Sequence, residues 1–150
     1  MAFYRDHVIQ WSKDLGRTID YIESRKDLDR EKIAFYGLSW GAALGPLLLA
    51  VEDRIKIGIL VAGGLLLHRS LPEADVFNFA PYARQPMLMV NGRYDWFFPI
   101  DRTQLPLFRA LGSPPKDKRH AVFDTGHVPL NDLLMKEILD WLDHYLGPVH

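Results

Sequence analysis

The pentapeptide Gly37-Leu38-Ser39-Trp40-Gly41 constrains this chain more than any other stretch of it. Before it runs Lys32-Ile33-Ala34-Phe35-Tyr36, short and apolar, which suits a buried strand. After it runs Ala42 to Ala50, small and then leucine-rich, which suits a buried helix despite the Gly45-Pro46 pair. Strand, sharp turn and helix is the setting a Gly-x-Ser-x-Gly nucleophile elbow requires. Such a turn strains the serine backbone and lifts its hydroxyl clear of the sheet. Glycines are expected at both flanks, because side chains there would clash where helix and strand approach closely. The plain alternative is a glycine-rich strand-to-helix turn with a bystander serine.

A serine hydroxyl needs a base to become a nucleophile, and the base needs an orienting carboxylate. On an open parallel sheet these partners sit in loops at the C-terminal ends of later strands. Pro86 to Gly92 reads as a strand ending in a turn, and Asp95 follows within Arg93-Tyr94-Asp95-Trp96-Phe97-Phe98-Pro99. Arg119 to Phe123 reads as the next strand, and His127 lies in the loop Asp124-Thr125-Gly126-His127-Val128-Pro129 that leaves it. Ser39, Asp95 and His127 thus occur in the required order on the required elements.

Other assignments compete. Asp95 also fits a solvated turn aspartate. Asp101 reads as the N-cap of a helix running from Arg102 to Leu111. Asp124, three residues before His127, reads as ordering its own loop. His120 falls inside a strand and reads as structural, and His7, His68, His144 and His150 occupy no strand end.

With these residues in place, the chain resembles the C-terminal half of an α/β-hydrolase of the dienelactone hydrolase and prolyl oligopeptidase-like kind. It resembles more closely still the esterase-like domains attached to some bacterial serine/threonine protein kinases. The resemblance is carried by Ile19-Asp20-Tyr21-Ile22, Tyr36 to Gly41, Asn78-Phe79-Ala80-Pro81, Asn91 to Asp95 and Gly126-His127-Val128-Pro129, spread over nearly the whole sequence. It implies Ser39 as nucleophile, Asp95 as orienter and His127 as base. It implies no particular substrate.

The 150 residues suffice for one domain with a proper core, here a single domain over 1–150. An amphipathic helix is expected over Tyr4–Ser24, with Tyr4, Val8, Trp11, Leu15, Ile19 and Ile22 on one face. Strands are expected at Lys32–Tyr36, Lys56–Ala62, Pro86–Asn91 and Arg119–Phe123. The long connection 63–85 is a candidate cap over the site, with Leu65 to His68 as part of it. A last helix over Leu130–Leu146 presents Leu133, Leu134, Ile138, Trp141, Leu142 and Tyr145, before a frayed end from Gly147 to His150. The expected architecture is therefore a truncated α/β-hydrolase fold, about four parallel strands flanked by helices, without the usual N-terminal strands.

That departure has two consequences. One oxyanion donor is the backbone N–H of Trp40, but the resemblance places the second in a loop of the N-terminal half this sequence lacks. The Lys32–Tyr36 strand becomes an open edge, which invites pairing with another chain. A homodimer or higher homo-oligomer through this edge is expected, since a two-fold contact uses the same patch on both copies.

Lys and Arg total 18 against 19 Asp and Glu, a balance without a nucleic-acid footprint. No run is long enough to span a membrane, and charge arrives too early in Met1 to Asp6 for a signal peptide. Zero cysteines exclude disulfides and fit a cytoplasmic setting. The histidines and carboxylates lack ligand spacing, so neither metal nor other cofactor is expected. Trp40, Tyr94, Trp96 and Phe97 are candidates for walls of an apolar substrate pocket, while Phe97 and Phe98 fit the core equally well. No arginine stands out to bind a substrate carboxylate; Arg93, two residues before Asp95, is the candidate. The expected activity is hydrolysis of small carboxylic esters through an acyl-enzyme. The alternatives are a weak or inactive hydrolase fragment serving as an interaction module, and half of a hydrolase completed by another chain.

Overall fold

The computed structural model describes residues 2–68, 70–129 and 131–148, with the side chain of Asn131 left aside. Four parallel strands form one sheet in the order β1-β2-β3-β4: β1 Ala34–Leu38, β2 Ile57–Val61, β3 Met87–Gly92 and β4 Lys118–Phe123. Each strand returns through a helical connection, as parallel pairing demands. The α-helices are α1 Ala2–Ser24, α2 Trp40–Val51, α3 Val76–Phe79, α4 Leu105–Ala110 and α5 Asn131–Leu146.

The sheet separates two apolar layers. On one face, Val8 and Ile19 of α1, Leu44, Leu47 and Leu49 of α2 and Leu107 of α4 pack on Leu60, Met87 and Met89. On the other, Leu134 and Ile138 of α5 pack on Ile59, Val61, Leu88 and Val90. Central strands covered on both sides must be apolar at every position, and β2 and β3 are buried throughout. Arg54 ties α1 to the turn before β2, reaching Asp20 at 2.7 Å, Glu23 at 2.8 Å and Glu52 at 2.6 Å.

Most expected elements are present, with three corrections. Strand β1 begins at Ala34 rather than Lys32, because a 3₁₀ turn over Arg30–Lys32, capped by the Asp29 side chain, takes the preceding residues. Trp11 is not a core residue but stands 38% exposed, edge-on to His7. Asp101 is not an N-cap: Pro99 holds that position with no side-chain cap, and a π turn over Ile100–Gln104 leads into α4. Among the described residues, segment 63–85 contains short helical turns and α3. The expected starting residue of the last helix, Leu130, and the terminal Val149 and His150 lie outside the described residues. Among the described residues no helix is long and apolar enough to cross a membrane.

Candidate active site

Ser39 sits between β1 and α2 with φ 53° and ψ −109°, a conformation costly for any residue with a Cβ. The turn is held from below by the Ser39 N–H, which donates to Val61 O at 2.8 Å. A Cβ at Gly37 would lie 2.6 Å from the carbonyl carbon and oxygen of Gly41, so strand and helix can meet only over a glycine. Gly41 differs from the expectation for it: a Cβ there would meet nothing within 4 Å. The steric demand thus falls on one flank of the elbow only.

The three residues singled out from the sequence converge at the C-terminal edge of the sheet. His127 Nε2 and Ser39 Oγ are 2.8 Å apart, and His127 Nδ1 and Asp95 Oδ2 are also 2.8 Å apart. Asp95 is 3% exposed, and its other oxygen accepts from the N–H groups of Phe97 at 2.8 Å and Phe98 at 3.1 Å. A carboxylate so fully engaged has one free direction, toward the imidazole. Each partner comes from a different loop, and the loops interlock. Arg93 N–H donates to Phe123 O at 2.7 Å and Tyr94 N–H to Thr125 O at 3.0 Å. A side chain at Gly92 would collide with the carbonyl of Gly126, so the acid loop and the histidine loop cross at a glycine.

The rival residues lie elsewhere. Asp124 is exposed and forms an ion pair with Arg93 at 2.6 Å, bracing the same two loops. That pairing engages Arg93, the candidate for a substrate carboxylate. His120 lies within β4, 3.1 Å from Asn91 Oδ1 and against Phe108, and burial pushes its imidazole down to about 4. The buried Asn91 in turn donates to Gly63 O at 2.8 Å, linking β4, β3 and the segment after β2.

Beside Ser39 opens a cavity of about 330 Å³ lined by Trp40, Leu65, Leu66, Leu67, Phe97 and Phe98. Trp40 and Phe97 were both legible as wall residues. Tyr94 and Trp96 do not line this cavity; they border an open groove with Arg93, Asp101 and Arg102 on the outer side of the acid loop. Phe97 connects the two, stacked on Trp96 at 3.6 Å and 5.0 Å from the His127 ring. Of the residues the sequence assigned only to a cap, the leucine triplet lines the cavity, and His68 stacks on Trp40 at 6.2 Å. As the first residue of α2, Trp40 has no carbonyl one turn back to take its N–H, so that donor is free at the elbow. Among the described residues no cluster of His, Asp or Glu could hold a metal ion.

No family model matches the sequence. The structure is similar to that of an acetyl xylan esterase from Paenibacillus sp. R4, with a TM-score of 0.76 at 22% identity over 91% of this chain and 52% of that one. The fold is a partial α/β-hydrolase fold. A protein assigned as a dienelactone hydrolase from Klebsiella pneumoniae gives a TM-score of 0.77 at 19% identity, covering 92% of this chain and 62% of the other. A cold-adapted esterase from an Arctic intertidal metagenomic library gives 0.71 at 25% identity, covering 89% and 57%. The chain therefore spans between about half and three-fifths of these three chains.

Proposed function

We propose that this chain is a serine hydrolase that cleaves small carboxylic esters through an acyl-enzyme. The observation that carries the reading is the unbroken chain Ser39 Oγ, His127, Asp95, with both links at 2.8 Å. On this reading His127 Nε2 removes the proton as Ser39 Oγ attacks the ester carbonyl. The same nitrogen then returns the proton to the departing alcohol. Asp95 fixes the tautomer and stabilises the imidazolium. The Trp40 N–H binds part of the developing oxyanion. Water, activated by His127, resolves the acyl-enzyme, and no cofactor takes part.

The cavity beside Ser39 is lined by apolar side chains, which supports an uncharged acyl or alcohol group as its occupant. The similarity to proteins named as esterases points the same way. The closer kinship with kinase-attached esterase-like domains and a cytoplasmic setting belong to this reading too. Trp40 supplies one oxyanion donor, and a site without a second is expected to work on the order of a hundredfold or more slowly.

A second element of the reading is a homodimer through β1. The strand lies at the sheet edge, with Tyr36 at 51% and Leu38 at 46% exposure beside its unpaired backbone. That same edge favours the alternative, an interaction module that carries the three residues without using them. Labelling with a fluorophosphonate separates the two. The serine hydrolase reading expects labelling of the wild type and none of Ser39→Ala or His127→Ala. A folded, monodisperse wild type that takes no label leaves the interaction module standing.

A further inference from the structure

We propose that Gln104 is a positioning residue for Asp95, holding the acid loop at the geometry that His127 requires. The proposal rests on the reading of Ser39, His127 and Asp95 as a working triad. Gln104 is completely buried at the end of the π turn over Ile100–Gln104. Its Nε2 donates to Gly92 O at 3.0 Å and to Phe98 O at 2.7 Å. Those carbonyls stand at the two ends of the loop that carries Asp95. One amide group therefore fastens both ends of a loop with no regular structure of its own.

The connection to the carboxylate is short. The Phe98 N–H donates to Asp95 Oδ1, and the Phe98 carbonyl accepts from Gln104. A shift of Phe98 thus moves a donor on Asp95, and Asp95 Oδ2 is the group that faces the imidazole. The other end of the loop, Gly92, is where the acid loop crosses the carbonyl of Gly126 on the histidine loop. Gln104 therefore grips the loop both at this crossing and beside the carboxylate.

The local backbone is shaped to put it there. The Leu105 N–H closes onto Ile100 O, five residues back, in place of the usual four. Pro106 has no N–H to continue a regular helical turn onto Arg102. The widened turn buries two polar residues in succession, Thr103 and Gln104. The Gln104 Oε1 is buried with no partner among the described residues, so this amide carries a desolvation cost that its donor side must offset. A residue chosen for packing alone would be apolar at this position.

Gln104→Met keeps the approximate volume and removes both donors; Leu107→Ala weakens the same helix without touching the loop. The readouts are the downfield proton resonance of His127 Nδ1–H and the kcat and KM for p-nitrophenyl acetate. In Gln104→Met the resonance is expected to shift or vanish, and kcat to fall about tenfold to a hundredfold with KM little changed. Leu107→Ala is expected to unfold more readily yet keep the resonance and kcat. A folded Gln104→Met with unchanged kcat overturns the proposal. So does a fall in kcat with the resonance unmoved, since the loss would then bypass the Asp95–His127 pair. If Gln104→Met does not fold, Gln104→Glu decides. Its carboxylate should lose the resonance at alkaline pH and regain it once protonated, and an unaltered resonance overturns the proposal. If the wild type hydrolyses no ester, the triad reading falls by itself, while the resonance still decides whether Gln104 positions Asp95.

Discussion

The two flanks of the sheet are built to opposite standards. At the β3–β4 flank, two loops cross at Gly92, exchange backbone hydrogen bonds and an Arg93–Asp124 ion pair, and leave Asp95 with one free direction. At the β1 flank, Tyr36 and Leu38 stand half exposed on the α5 side of a strand that has a neighbour on one side only. At the first flank the donors on Asp95 come from its own loop, while Gln104 Oε1 and Thr125 Oγ1 are buried without partners among the described residues. The second presents backbone donors and acceptors with apolar side chains around them, a surface suited to another strand. Ser39 lies at the junction: its elbow leaves β1, and its partners hang from the ends of β3 and β4.

The largest expected effect tests the closed flank. Asp95→Asn preserves size and the bonds to the Phe97 and Phe98 N–H groups but can leave His127 in the wrong tautomer. Ester hydrolysis is expected to fall on the order of 10⁴-fold with the fold intact by circular dichroism. A loss of tenfold or less would mean that the locked loop does not serve the histidine.

A smaller effect concerns His120 within that flank. Its folded pKa, about 4, lies below the ordinary value of 6.5. Between those values the unfolded chain binds the proton and the folded one does not, so folding stability falls as pH drops through this window. Urea midpoints should therefore decline from about pH 6.5 toward about pH 4, and His120→Leu should flatten that part of the slope. An identical slope in the variant would show that the imidazole is not held neutral.

The smallest energetic effect falls on the open flank, yet it sharpens the contrast most. Tyr36→Lys places a charge on the exposed edge, where substitutions change stability by about 0.5 kcal/mol or less. Light scattering is expected to report a dimer for the wild type and a monomer for the variant, with a urea midpoint that rises with protein concentration in the wild type only. A monomeric wild type removes the homodimer, and a dimeric variant moves the contact off β1.

Patterns that act within a few residues were readable in advance. The continuous apolar runs of β2 and β3 announced strands buried on both faces, and the elbow announced the turn at Ser39. The order Ser39, Asp95, His127 on successive strand ends named the residues that the structure brings within hydrogen-bonding distance. What could not be read depends on residues far apart in sequence. That Asp101 would fall inside a π turn and not cap a helix could not be read locally. The division of the aromatic run placed Phe97 and Phe98 in the cavity and sent Tyr94 and Trp96 to the outer groove. The leucines at 65–67 looked like a cap, and their place beside Ser39 comes from a path without regular structure.

Sequence by itself determined the element order, the parallel sheet and the identity of the three polar residues, because hydrophobic periodicity and turn chemistry are local. Tertiary structure alone decided the loop crossing at Gly92 and the burial of Gln104. Those depend on which backbone meets which across the sheet, and no short stretch of residues encodes that meeting.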